Sequence, residues 1–320
     1  MLNNKIITIF GGSGFLGRYI VKELAKSGAT INVVSRNPEQ HLHLKTSGSV
    51  GQIRLIKINI HDSNELQQIV AQSNIVINAI GILYEKHKGD FTKIHTNFPE
   101  RLAICASKAG IEKLIHISAL GVDQASSSKY ALSKLRGEEA ISQNFANHVI
   151  LRPSVVFGKE DNFINQFATI ASFSPFLPLI GGGHTEFQPV YVNDIAKSVA
   201  KIASTEHGYL TNIYELGGPE VLTFKEILEL ILKYTKRKRI LLPLSWKLAK
   251  FAAFFLEKLP QPLLTCDQVK LLKIDNVTQK NSLTFFDLQI QPQNIEEIIP
   301  TYLSNYLNNC YFNAEKQPSN

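Results

Sequence analysis

Apolar and polar positions along the first 153 residues switch repeatedly between two periods. "KIITIF" is a short apolar run that ends in glycines, which predicts a buried strand. "GRYIVKELAKSG" has helical spacing, with Ile20, Val21, Leu24 and Ala25 on one face, and it stops at Gly28. "ATINVVS" and "IRLIKINI" again read as strands, separated by a polar loop containing "TSGSVG". A helix at "SNELQQIVAQS", a strand at "NIVINAIG", a helix across "TNFPERLAICASKAG" and a strand at "KLIHIS" follow. "SKYALSKLRGEEAIS" then reads as a helix and "HVILRPS" as a strand. This alternation predicts a parallel sheet covered on both faces, with right-handed crossovers and doubly wound order.

After Pro153 the rhythm weakens. Helices are expected near 161–172, 193–204, 223–235, 245–258 and 293–308, with short strands near 187–192 and 213–216. Prolines punctuate this half, and no internal repeat is present. The expected fold class is α/β: a Rossmann-type doubly wound parallel sheet with a smaller, mainly helical C-terminal lobe. The expected division is a nucleotide-binding domain over 1–155, a lobe over 156–312 with strands returning to the main sheet, and a disordered tail over 313–320.

The junction "FGGSGFLGRYI" gives this architecture a ligand. Gly12, Gly14 and Gly17 satisfy GxGxxG, and Gly11, Gly14 and Gly17 satisfy GxxGxxG. At a strand-to-helix turn such glycines allow a tight bend, close approach of backbone to a pyrophosphate, and close helix packing. Ser13, Phe15 and Leu16 would then present backbone to the phosphates, beside the positive end of the helix. The second strand ends "VVSRNPE", so Ser35 and Arg36 stand where an acidic residue would accept ribose hydroxyls. An arginine there suits a 2′-phosphate, so NADP(H) is preferred and NAD(H) is the alternative. Asn59 and Ile60 end the third strand, where adenine would lie.

Composition narrows the class. The 320 residues are 44% hydrophobic and 19% charged, ordinary values for a globular chain. "MLNNKIITIF" does not read as a signal peptide, and no window holds the ~18 apolar residues of a membrane span. Cys105, Cys266 and Cys310 are widely spaced, which fits a reducing, cytoplasmic setting, and no metal site is expected. Net charge is +7, but no helix-turn-helix, zinc spacing or aromatic motif supports nucleic-acid binding. One basic run, Lys236 to Arg239, precedes "ILLPLSWKLAKFAAFFLEKL". There Leu244, Leu248, Phe251, Phe255 and Leu259 share a helical face. That face reads either as core packing of the lobe or as a dock for an anionic membrane surface or membrane-complex partner.

Candidate chemistry sits in "YALSK". Tyr130 and Lys134 are one helical turn apart and share a face, and Ser118 ends the preceding strand. Bringing a phenol of pKa ~10 to about 7 takes roughly 4 kcal/mol, which a nearby ammonium and a positive nicotinamide could supply. Tyr130 would then pass a proton while the nicotinamide passes a hydride, with Ser118 on the substrate oxygen. Glu160 and Asp161 read as the start of a helix rather than as an acid pair, and His184 as a loop residue.

These motifs resemble the short-chain dehydrogenase/reductases in their extended and atypical branches, over residues 5 to about 225. "GGSGFLG" resembles the family's glycine motif, and Ser118, Tyr130 and Lys134 fall on its catalytic triad. The resemblance implies that Asn97 in "IHTNFPERL" relays the lysine proton. It also implies that Ala79, Ile80 and Gly81 line the cofactor, and that Pro153 and Val155 in "LRPSVVFG" lie beside the nicotinamide. "RPSVVFGKEDNFINQFA" and "FQPVYVNDIA" are similar to the NADPH-binding accessory subunits of respiratory complex I and their bacterial relatives. That similarity implies a structural or redox-sensing, tightly nucleotide-bound protein, with complex I subunits as partners, peripheral on the inner face of the membrane. The triad keeps a second implication open, an active oxidoreductase or epimerase on a sugar-nucleotide, quinone-like or lipid-derived substrate.

Overall fold

The computed structural model describes residues 2–205 and 212–307. Seven strands form one sheet: β1 (Ile6–Phe10), β2 (Thr30–Val34), β3 (Ile53–Ile56), β4 (Ile75–Asn78), β5 (Lys113–Ile117), β6 (His148–Pro153) and β7 (Asn212–Leu216). Their spatial order is β7-β6-β5-β4-β1-β2-β3, and every pairing is parallel. The chain runs outward from β1 to β3 and then returns to β4 on the other side of β1. The crevice for a ligand therefore opens above the carboxyl ends of β1 and β4.

The longer α-helices are α1 (Phe15–Ala25), α2 (Ser63–Ala71), α3 (Phe98–Ala109), α4 (Lys129–Asn144), α5 (Phe163–Phe173), α6 (Val192–Ser204), α7 (Phe224–Tyr234), α8 (Trp246–Leu256) and α9 (Cys266–Leu271). Of these, α1 to α4 and α6 cover the two faces of the sheet. On one face Ile20 and Leu24 of α1 and Ile195 and Val199 of α6 pack on Ile7, Ile9 and Ile31. On the other, Leu66, Phe98, Leu102 and Ile141 from α2, α3 and α4 pack on Phe10, Val76 and Leu114. Strands buried on both faces are continuously apolar, which is why the first half was legible as strands. A separate cluster joins α5, α7 and α8 through Phe167, Phe224, Ile227, Ile231 and Ala253.

The second half departs from expectation in three places, one of them α9, which no expected helix covers. Phe176–Ile180 and Ile240–Leu244 pair as a parallel two-stranded ribbon. Each carries a proline, Pro178 or Pro243, and neither shows a period-two pattern, so the sequence hides them. The helix expected over 293–308 appears as short turns, Ile295–Ile298, Pro300–Leu303 and Ser304–Tyr306. Pro300 and the poor helix formers after it break the run. Residue 308 and the tail over 313–320 lie outside the described residues.

Candidate active site

Because all seven strands are parallel, the residues that follow them collect at one edge. Gly11 follows β1, Ser35 and Arg36 follow β2, and Asn59 and Ile60 lie just past β3. Ala79 to Gly81 follow β4, Ser118 follows β5, and Pro153 ends β6 with Val155 just beyond.

The phosphate loop is shaped by two glycines. Gly11 sits at φ +80°, where a Cβ would meet the Ala79 carbonyl and the Ile80 nitrogen at 2.8 to 2.9 Å. A Cβ at Gly17 would collide with the Gly11 carbonyl and the Gly12 Cα. Both positions are closed to any other residue. Gly14 differs, since it is exposed, and a Cβ there would approach only the Gly11 oxygen, at 3.3 Å. It is the N-cap of α1 and has no side-chain cap, so the first N–H groups of the helix, from Phe15 and Leu16, remain available to an anion. Phe15 also closes on Gly158, where a Cβ would lie 3.3 Å from its ring.

At the end of β2 the Ser35 hydroxyl is buried and lies 3.4 Å from the Ser13 hydroxyl. Arg36 is exposed and has no ion pair among the described residues. Asn59 uses its side-chain oxygen to accept from the His61 N–H at 3.0 Å, and Ile60 is half-buried against the α2–α3 cluster. Pro153 is buried opposite Leu216 of β7, and Val155 donates its N–H to Asn276 Oδ1 at 3.1 Å.

Ser118, Tyr130 and Lys134 lie around the carboxyl end of β5. Ser118 is buried, and its Oγ has no hydrogen-bond partner among the described residues. The Asn32 Oδ1 and His116 Nε2 atoms share this state, so Ser118 Oγ is one of three buried side-chain atoms without a partner among the described residues. The Lys134 ammonium donates to the Ile117 carbonyl at 3.0 Å, directly before Ser118. Burial pushes this lysine down to about 8, against a smaller upward effect from Glu138. A Cβ built at Gly81 would lie 3.5 Å from Lys134 Nζ and 3.8 Å from His95 Nε2, so Gly81 roofs both groups.

Tyr130 packs edge-on against Phe91 and His95, with centroids at 5.7 and 5.3 Å. Burial pushes its phenol up to about 12. Desolvation of the ring is the whole effect, while the ammonium is spent on the Ile117 carbonyl. A protonated phenol is a donor, and only an added positive charge would make it give up its proton near neutrality.

No hydrogen bond joins Asn97 to Lys134 among the described residues. It ends a π-turn over Thr92–Asn97, is exposed, and its carbonyl accepts from Arg101 Nε at 3.4 Å. His95, two residues earlier, occupies the interior instead. Its Nε2 accepts from the Ile82 N–H at 3.0 Å, so Nδ1 carries the proton and donates to Ser133 Oγ at 3.0 Å. Ser133 Oγ in turn donates to the Tyr130 carbonyl at 2.7 Å. Burial, with Lys134 and His116 adding to it, holds His95 down at about 2, so it is a neutral strut between the Gly81 loop and α4.

One further residue has no local sequence signal. Asp267 at the start of α9 accepts from Ser128 Oγ at 2.7 Å, the Lys129 N–H at 2.9 Å and the Tyr130 N–H at 3.0 Å. It thereby caps the helix that carries the tyrosine. Asp161 accepts from the Gly158, Ile164 and Asn165 N–H groups and from the Tyr302 hydroxyl. Glu160 accepts from Tyr19 at 2.9 Å. Asp161 therefore stands at the start of α5, as the sequence reading has it, and each carboxylate is held by a tyrosine hydroxyl.

The doubly wound parallel sheet, with glycine-only positions at the turn after β1, is the architecture of a Rossmann-type dinucleotide fold. The chain belongs to the NAD dependent epimerase/dehydratase family, whose model matches residues 7–217. Among curated proteins it is similar to the mitochondrial NADH dehydrogenase (ubiquinone) 1 alpha subcomplex subunit 9 of Arabidopsis thaliana, 34% identical over 94% of this chain and 78% of that one. The subunit of the same name from Dictyostelium discoideum is 32% identical over 98% of this chain and 88% of that one. Among solved structures, an NADPH-dependent quinone oxidoreductase complexed with NADPH from Escherichia coli superposes with a TM-score of 0.74 at 20% identity, covering 94% and 100% of the two chains. That likeness establishes the fold. No described helix is long and apolar enough to cross a membrane.

Proposed function

We propose that the crevice above β1 and β4 holds a nicotinamide dinucleotide, NADP(H) in preference to NAD(H), and that the chain works as a nucleotide-bound subunit of a respiratory NADH dehydrogenase assembly. The observation that carries the nucleotide reading is the pair of closed glycine positions, Gly11 and Gly17, beneath an uncapped α1 N-terminus. The backbone at Gly14, Phe15 and Leu16 would take the pyrophosphate, and Ser13, Ser35 and Arg36 the 2′-phosphate. Asn59 and Ile60 would flank the adenine, and Ala79, Ile80, Gly81, Pro153 and Val155 the path to the nicotinamide, beside Lys134. The orphaned Ser118 hydroxyl fits a ligand oxygen at the end of that path. The assembly reading is supported by the two relatives, each similar over nearly the whole chain.

A second reading rests on the same hydroxyl. When bound, the nicotinamide supplies hydride transfer. Ser118 would hold a substrate oxygen, Tyr130 would donate or take a proton there, and Lys134 would hold the phenol in register. Tyr130→Phe separates the two readings. Loss of turnover with nucleotide affinity kept supports an enzyme, and no turnover in the parent supports a bound-cofactor subunit.

Calorimetric titration of nucleotide-free protein tests the cofactor preference. NADPH should bind more tightly than NADH. Arg36→Ala should weaken NADPH by about 10- to 100-fold, the worth of a charge-assisted hydrogen bond, and leave NADH unchanged. Equal affinities in the parent, or an indifferent Arg36→Ala, would overturn the preference.

A further inference from the structure

The segment after β6 lies across the nucleotide crevice. The chain leaves β6 at Pro153, passes Val155 and meets the first residue of α1, where a Cβ at Gly158 would lie 3.3 Å from the Phe15 ring. In the sheet, β5 and β4 stand between β6 and β1. A segment that leaves β6 and reaches the start of α1 therefore crosses the mouth of the crevice. It runs from the proposed nicotinamide end at Val155 to the proposed pyrophosphate end at Phe15. It crosses as extended chain, with Val156 and Phe157 paired to Val190 and Tyr191.

This strap is fastened on both sides, and unequally. On the side of the C-terminal lobe the anchor is Asp161. It is buried and accepts from the Gly158 N–H at 3.1 Å, the Ile164 N–H at 2.7 Å and the Tyr302 hydroxyl at 3.0 Å. Its neighbour Glu160 is exposed and is joined to α1. Glu160 Oε2 accepts from the Tyr19 hydroxyl at 2.9 Å, and Oε1 lies 3.8 Å from Arg18 Nη1. Both members of that ion pair are open to solvent and screened, so the hydrogen bond from the half-buried Tyr19 phenol to the carboxylate is the stronger link. Adjacent acids thus fasten the two sides, a buried one with several donors and an exposed one with a single hydrogen bond. The thinner fastening is the one that opens first. Tyr19 and Glu160 stand outside the groups assigned to phosphate, adenine and nicotinamide, so their pairing acts on access to the crevice and not on contact with its contents.

We propose that the Tyr19–Glu160 hydrogen bond is a clasp that holds segment 155–161 shut across the crevice, so that a nicotinamide dinucleotide enters and leaves only while it is open. The clasp rests on the nucleotide reading above and adds a rate to it. A closed strap slows arrival and departure by the same factor and leaves the affinity as the crevice sets it. A chain built this way keeps its nucleotide as a resident group.

Stopped-flow fluorescence of NADPH with the full chain tests the clasp. Association is followed on nucleotide-free protein, and release on loaded protein mixed with an excess of an NADPH-oxidising enzyme that traps what is freed. In Tyr19→Phe and in Glu160→Ala both rate constants should rise together by about tenfold, the worth of one hydrogen bond to a charged group. The dissociation constant should stay within about twofold of the parent. The double variant should be no faster than Glu160→Ala alone, because both changes break the same contact. Parent rates in both folded variants would overturn the proposal. So would an affinity weakened through release alone, because the pair would then prop the bound site instead of gating it. A parent that binds neither NADPH nor NADH would overturn the nucleotide reading itself and the clasp with it, which tells the two failures apart.

Discussion

A single methyl group at residue 17 is enough to test the phosphate turn. Gly17→Ala places a Cβ on the Gly11 carbonyl, so the turn must open or α1 must move. Nucleotide affinity should fall by more than about 100-fold in calorimetry, since the backbone donors lose their shared aim. Lys134 gives a second residue-scale prediction. Its folded pKa, about 8, is below the ordinary 10.5, so the unfolded chain binds more protons between those values and stability rises with pH across that window. Lys134→Met removes the dependence. Its advantage over the parent at pH 7, up to about 3 kcal/mol in denaturant titrations, should shrink by pH 10.5. The glycines, Ser118, Tyr130 and Lys134 were all legible in the sequence, because each follows a recognisable strand or begins a recognisable helix. His95 was not. The π-turn over Thr92–Asn97 adds a residue per turn, which swings His95 inward and leaves Asn97 exposed, and an α-helical count of that segment cannot reveal it.

The element that decides the geometry of the site is α4, and its N-terminus is held from the C-terminal lobe. Ser128 caps it locally at Ala131 N, and Asp267 supplies three more acceptor contacts from 137 to 139 residues away. Asp267→Ala should cost about 2 kcal/mol of stability, measured by chemical denaturation, and should loosen Tyr130. Burial alone would raise the Asp267 pKa, but the Tyr130 N–H, Ser128 hydroxyl and Lys129 N–H outweigh it and hold the carboxyl below its usual range. Its stabilisation is therefore complete above about pH 4 and lost as pH falls through the lower folded value, so parent and Asp267→Ala should converge in stability under acid conditions. No pattern near residue 267 announces this contact. Helix periods were readable because they are local, while the partner of a helix end across the molecule is set by how the two lobes meet.

At the scale of the whole molecule, Arg152 fastens the sheet to its surroundings beneath the site. It is buried on β6 and pairs with Glu138 of α4 at 2.7 Å, Asp123 at 2.7 Å and Glu215 of β7 at 3.8 Å. Glu215 also accepts from the Gln279 N–H at 2.8 Å, which draws the C-terminal segment onto the sheet edge. Arg152→Met leaves three carboxylates without their shared cation and should cost about 3–5 kcal/mol in the same denaturation assay. The doubly wound half of the fold followed from its alternation, but the ribbon did not, since prolines interrupt both of its strands. The crevice above β1 and β4 is proposed to hold one dinucleotide per chain. Native mass spectrometry of the freshly purified parent and of Gly17→Ala measures this directly. The parent should carry the mass of one nicotinamide dinucleotide per chain, and Gly17→Ala should carry none. A bare parent that takes up no added NADPH or NADH, with a melting temperature unmoved by either, would contradict it.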